Sequence, residues 1–159
     1  MKLTVFRLGK HAHRAQLFSG EGGLHAAGRW TSRGHPVVYT SASISLAVLE
    51  YTVNYRRRNW VPATVLGRAT IPASVRIEAV STTGLPCKWF APDPPPRLQE
   101  IGGDWLRRRE SAALKVPSAI VAEEFNYLLN PLHADFRKIS LGAPQVFHFD
   151  RRIARSRKL

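Results

Sequence analysis

Gly28–Tyr51, GRWTSRGHPVVYTSASISLAVLEY, is the stretch on which the reading of this chain turns. It places Arg29, Tyr39 and Glu50 at near-even intervals in three kinds of local structure: a loop, a strand end and a helix. Such spacing lets one cation, one aromatic ring and one carboxylate converge on a single cleft. The preceding FSGEGGLHAAG is a loop, because Gly20, Gly22 and Gly23 permit backbone conformations closed to other residues. His35-Pro36 opens a short apolar run of strand type, Val37–Tyr39, after which Thr40, Ser41 and Ser43 offer N-cap oxygens.

The spacing predicts a helix over Ile44–Tyr55. Ile44, Ala47, Val48, Tyr51 and Tyr55 recur at steps of three and four and form one apolar stripe. Leu46, Glu50 and Val53 form a second line about a hundred degrees round. A helix apolar on both lines is mostly buried, and a lone carboxylate on it is costly unless it meets a polar cleft or a donor. Two readings follow for Glu50: it lines a polar site, or it pairs with Arg56 or Arg57 at the helix end.

The chain has 159 residues, 44% of them hydrophobic, enough for one domain with a substantial core and too few for two ordinary ones. No apolar run approaches a membrane span, and MKLTVFRLGKH lacks a signal-peptide hydrophobic region, so a cytoplasmic protein with no membrane contact is expected. Cys87 is the single cysteine, which excludes an internal disulfide and a thiolate metal cluster; His11 and His13 are too isolated for a metal site, and no metal is expected. The formal net charge is +13, of which five positive charges lie in RRIARSRKL, residues 151–159. That tail reads as a solvated end beyond a domain of residues 1–150. The remaining +8, with Arg56–Arg58 and Arg107–Arg109, suggests an anionic ligand or acidic partner. Direct nucleic-acid binding has no support beyond charge: no helix-turn-helix spacing, zinc-finger pattern or RNP-type aromatic motif is present.

The rest reads as a mixture of strands and helices without repeats. Leu3–Leu8, Val61–Ile71 and Ser74–Val80 are expected strands, and APDPPPR at 91–97 is a rigid connector. A short helix around Leu98, Ile101, Trp105 and Leu106 is weakened by Gly102-Gly103. Ala112–Val116 and Ser118–Ala122 look like one interrupted strand or two short ones, Asn130-Pro131 a turn, and Val146–Phe149 a last strand.

On these residues the chain resembles the RES domain family of bacterial toxins from toxin–antitoxin pairs. The likeness runs from Phe6-Arg7 through GRW at 28–30, VVYTS at 37–41, the Glu50 helix, GDWL at 103–106, LKVPSAIV at 114–121 and NYLLNPLH at 126–133. The family's name-giving arginine, glutamate and serine map to Arg29, Glu50 and Ser118; the contiguous Arg109-Glu110-Ser111 spells the same letters in a helix-to-strand connection. The resemblance implies an α+β fold, one compact domain around a mixed, mostly antiparallel sheet like that of ADP-ribosyltransferase toxins. It also implies NAD as substrate and cleavage of the nicotinamide glycosidic bond. Glu50 would stabilise the oxocarbenium-like ribose, Arg29 would grip the diphosphate with Arg7 as a second contact, Tyr39 would stack on nicotinamide, and Ser118 would bond the ribose or carboxamide. Asn126 and His133 read as polar scaffolding of the pocket wall. The implied partner is an antitoxin covering the site. Two acceptors for ADP-ribose stay open: water or phosphate, which depletes NAD, or a side chain of a cellular protein, which makes a mono-ADP-ribosyltransferase.

Overall fold

The computed structural model describes residues 1–55 and 63–154. Among these residues eight strands form one sheet: β1 (Leu3–Lys10), β2 (Val38–Ser41), β3 (Thr64–Ile71), β4 (Ile77–Ala79), β5 (Ala113–Pro117), β6 (Phe125–Leu129), β7 (Ser140–Leu141) and β8 (Gln145–Phe147). Their order is β4-β5-β6-β2-β1-β3-β7, with β8 also on β3. Among the described strands β4 and β5 run parallel and every other pair is antiparallel, as expected of this α+β domain. The helices are α1 (Gly22–His25), α2 (Ile44–Tyr55), α3 (Pro96–Arg108) and α4 (Arg151–Ala154).

Side chains alternate across the sheet, and the two faces are closed differently. One face carries Val5, Val38, Val65, Ala69, Ala113 and Leu129, covered by Leu17, Phe18, Val75 and Ile139. The opposite face is covered by two separate helices. Ala47 of α2 packs on Leu8 and Leu66, whereas Leu98, Trp105 and Leu106 of α3 pack on Leu114, Val116 and Leu128. Between these two clusters the register pairs Tyr39 with Leu128 and Ser41 with Asn126, so alternation turns Tyr39, Ser41 and Asn126 toward the gap between the helices.

Helix α2 occupies the span that its periodicity predicts, and the Ser43 hydroxyl accepts from the Leu46 N–H at 3.0 Å as its cap. Thr40 and Ser41, expected to share that capping role, instead belong to β2, which starts one residue later than the apolar run suggested and pairs with β6. The strand expected at Ser74–Val80 shrinks to Ile77–Ala79, because Pro72–Val75 closes a turn through the Val75 N–H and Pro72 carbonyl. β3 begins at Thr64; Val61 lies outside the described residues.

No strand forms at Ser118–Ala122. The Ser118 hydroxyl accepts from the Ile120 and Val121 N–H groups, closing a turn that sends the chain back as β6, a strand no sequence pattern had assigned. The last strand, expected at Val146–Phe149, spans Gln145–Phe147. Helix α3 is longer than expected, starting on Pro96 at its first turn and ending on Arg109 in the left-handed conformation. Arg109-Glu110-Ser111 is the helix-to-strand connection its sequence suggested.

Gly102 and Gly103, which weaken the helix signal, divide the labour. A Cβ on Gly102 would collide with the Trp30 carbonyl, so this glycine lets α3 lie directly on the Gly28-Arg29-Trp30 loop. A Cβ on Gly103 would meet only the Arg107 Nη1, at 3.5 Å. Gly102→Ala is therefore expected to destabilise by about 1–3 kcal/mol through overpacking. Gly103→Ala should be neutral or stabilise by up to about 1 kcal/mol through helix propensity. Thermal unfolding of the two variants checks the contrast.

Candidate active site

Glu50 projects from the middle of α2 toward the start of β6. Its Oε1 accepts two hydrogen bonds, from the Asn126 Nδ2 at 2.5 Å and the Ser118 hydroxyl at 3.0 Å. Asn126 is itself oriented, because its Oδ1 accepts from the Ser41 hydroxyl at 2.8 Å and so directs Nδ2 at the carboxylate. The single Ser118 proton is committed to Glu50, while its lone pairs serve the Ile120 and Val121 N–H groups. Glu50 Oε2 has no hydrogen-bond partner among the described residues. A part-buried carboxylate is thus compensated on one oxygen and open on the other. Arg56 and Arg57, the alternative partners on sequence, lie outside the described residues.

Arg29 approaches from the loop before β2. Its Nη1 donates to the Trp89 and Ala91 carbonyls at 2.7 and 2.8 Å, which uses both Nη1 protons and leaves the Nε–Nη2 edge without a partner among the described residues. Burial lowers the Arg29 pKa, and the negative charge of Glu50 opposes that shift. The two charges feel one another without forming an ion pair. The guanidinium edge and the carboxylate oxygen are close enough to interact electrostatically, and neither is paired among the described residues.

The Gly28-Arg29-Trp30 loop is held from three sides. The Gly28 N–H bonds the Thr31 carbonyl, Gln99 of α3 donates to the Gly28 carbonyl at 3.0 Å, and the Tyr39 hydroxyl accepts from the Trp30 N–H at 3.2 Å. The same hydroxyl bonds Thr31 Oγ1 at 2.9 Å. Gly28 has no alternative, since a Cβ there would strike the Tyr39 hydroxyl. Tyr39 therefore spends its hydroxyl inside the protein and has only its ring face left for a ligand.

Arg7 is brought near these residues by a different route. β1 and β2 pair at one register position, Phe6 with Ser41, and beside it the Arg7 Nη1 donates to the Tyr39 carbonyl at 2.8 Å. Its Nε is out of contact with solvent and has no hydrogen-bond partner among the described residues, and burial lowers its pKa. Arg7 thus grips the β2 backbone. Of the two residues read as scaffolding of the pocket wall, Asn126 holds Glu50, whereas His133 caps the 3-10 turn Ala134–Lys138 by accepting from the Asp135 N–H and bonds the Arg109 carbonyl, contacts that involve neither Glu50 nor Arg29.

Tyr39 also sets an alkaline limit. Burial raises its pKa above the ordinary 10.0, the Thr31 bond only partly offsetting this. The unfolded chain loses this proton first, so stability present below pH ~10 is lost as pH rises toward the folded-state value. Tyr39→Phe is expected to cost about 1–2 kcal/mol at neutral pH, leaving the Trp30 N–H unpaired. It should also flatten the decline above pH ~10 in denaturant melts, although Tyr127, raised by burial too, retains part of it.

A family model described as the RES domain matches residues 4–150. A relative named Toxin Res from Photorhabdus laumondii is 34% identical over 157 residues, covering 98% of this chain and 100% of its own. A protein named Prs ADP-ribosylating toxin from a Sphingobium species is 34% identical over 160 residues, covering 98% of this chain and 99% of its own. Among solved structures, the crystal structure of the M. tuberculosis MbcT–MbcA toxin–antitoxin complex superposes with a TM-score of 0.76 at 16% identity, covering 92% of this chain and 85% of that one. That likeness is one of fold. The sheet with its two flanking helices and the match across residues 4–150 lead to one conclusion: the chain belongs to the RES domain family.

Proposed function

We propose that the protein is a toxin that binds NAD between α2 and α3 and cleaves its nicotinamide glycosidic bond. The observation that carries this reading is the Glu50 carboxylate, anchored through Oε1 by Asn126 and Ser118 and without a partner at Oε2 among the described residues, in electrostatic reach of an Arg29 edge that is likewise unpaired among them. When nicotinamide leaves with the electron pair of the C–N bond, the ribose becomes oxocarbenium-like, and a fixed carboxylate stabilises that charge without reorganising. Arg29 offers a planar pair of donors suited to diphosphate oxygens. The Tyr39 ring packs against the nicotinamide side of the ligand. Ser118 acts through Glu50, because its proton is already donated there. Arg7 acts through the β2 backbone that carries Tyr39.

For the acceptor we favour water or phosphate, whose oxygen forms the new bond to the anomeric carbon and, in the case of water, releases a proton to solvent. A small domain without a target-binding insertion can cleave NAD unaided. The second reading, transfer to a protein side chain, is favoured by the name of the Sphingobium relative, an ADP-ribosylating toxin. An antitoxin that covers the site is the natural partner. The exposed Leu49 and Val53 on α2, Ile120 after Ser118 and Phe90 beside Trp89 give the rim an apolar character that such a protein would bury.

Purified protein incubated with NAD, with and without phosphate, is expected to release free nicotinamide in step with ADP-ribose or its phosphorylated form. Glu50→Gln retains an oxygen for both donors and should fold, yet lower turnover by ~10²-fold or more. Arg29→Lys keeps the charge and loses the fork, so KM should rise by about tenfold. Full turnover by a folded Glu50→Gln variant defeats the assignment. Label from NAD accumulating on one cellular protein, with little free ADP-ribose, selects the second reading.

A further inference from the structure

A cavity of about 480 Å³ opens at the other end of the sheet from Glu50. Pro36 lines it, five residues before the Ser41 that contacts Asn126, which places it about 16 Å along the strand direction from the candidate active site. Pro36, Leu106 and Leu132 give it apolar walls, and Leu132 is 63% exposed. Arg107, Arg109 and His35 stand on its rim.

The floor is polar in a specific way. Asn130 is only 3% exposed, and its Oδ1 accepts from the Leu132 N–H at 3.0 Å. That bond fixes the amide, so Nδ2 is the group left over; it has no partner among the described residues and it belongs to the cavity lining. Although the residue is nearly buried, Nδ2 keeps contact with solvent, so it is a fixed donor that can exchange water for a ligand oxygen. Arg109 supplies a second set of donors. It holds the left-handed cap of α3 with its carbonyl bonded to His133 Nε2, and its guanidinium has no ion pair among the described residues. Arg107 adds charge, part of it neutralised by Asp104. The opposing term is the carbonyl end of α3, equivalent to about half a negative charge, which one free guanidinium already outweighs.

We propose that this cavity is a second ligand site, which binds a phosphate monoester carried on an apolar or aromatic body. The phosphate oxygens would accept from Asn130 Nδ2 and the Arg109 fork, and the body would lie on Pro36, Leu106 and Leu132. A tetrahedral oxyanion suits donors that converge from a floor and a rim.

Phenyl phosphate serves as the probe, titrated calorimetrically into the full chain beside phenol and benzoate. Phenyl phosphate is expected to bind, and phenol and benzoate to bind at least about tenfold more weakly. Arg109→Gln, a change of an exposed side chain, should weaken phenyl phosphate by about tenfold. Asn130→Asp preserves the acceptor for the Leu132 N–H but replaces the donor with a carboxylate, and should abolish binding. Neither change should alter NAD cleavage. In a Glu50→Gln background, where NAD persists, saturating NAD should leave phenyl phosphate binding unchanged. Absence of binding, equal binding in the two variants, benzoate binding as tightly as phenyl phosphate, or displacement by NAD would each overturn the proposal.

Discussion

A carboxylate on a mostly apolar helix is tolerated only if the surrounding chain supplies donors, and that constraint organises this molecule around Glu50. The donors come from two places that are distant in sequence: the turn after β5, where Ser118 sits, and β6, where Asn126 sits. Both are fixed by further bonds. Ser118 is locked by two backbone N–H groups and Asn126 by Ser41 on the neighbouring strand. The helix and the middle of the sheet are therefore joined by a polar clasp at the point where the two covering helices leave the sheet open. Because both donors converge on the same oxygen, the other has no partner among the described residues, an arrangement that suits the role we propose for Glu50.

The second half of the site is built by close approach. The loop carrying Arg29 has no regular hydrogen-bonding pattern of its own. It is held instead by Gln99 and the Gly102 surface of α3, by the Tyr39 hydroxyl and by Thr31. The rigid proline-rich connector at 91–97 and the residues just before it contribute as well, since the carbonyls of Ala91 at its start and of Trp89 ahead of it clamp one nitrogen of Arg29 and so aim its remaining edge. The guanidinium is in this way oriented before any ligand arrives, which lowers the entropy lost on binding.

The strongest local signals in the sequence correspond to what folded. Helix α2 follows from its three-four spacing and the Ser43 cap, and the resemblance on separated motifs placed Arg29, Tyr39, Glu50 and Ser118, which the structure brings together. What was illegible depends on contacts between distant segments. β6 is hard to read from sequence because Phe125–Leu129 is short and its one polar residue, Asn126, bonds Glu50, so the period-two pattern is broken there. Ser118–Ala122 looked like a strand because its residues are apolar, yet a serine hydroxyl bonding two backbone N–H groups ahead of it makes a turn. Gly102-Gly103 argued against a long helix, and only the Trp30 backbone lying across α3 explains the first of them. The inward commitments of the Tyr39 hydroxyl and of Arg7 likewise depend on tertiary neighbours that spacing does not reveal.

If Asn126 aims Glu50 at the ribose, as we propose, the steady-state rate of nicotinamide release from NAD by a folded Asn126→Ala variant will show it: kcat is expected to fall by roughly tenfold or more with KM nearly unchanged, since the carboxylate keeps its charge and loses its aim. A kcat equal to that of the unaltered protein, or a change confined to KM, would contradict it.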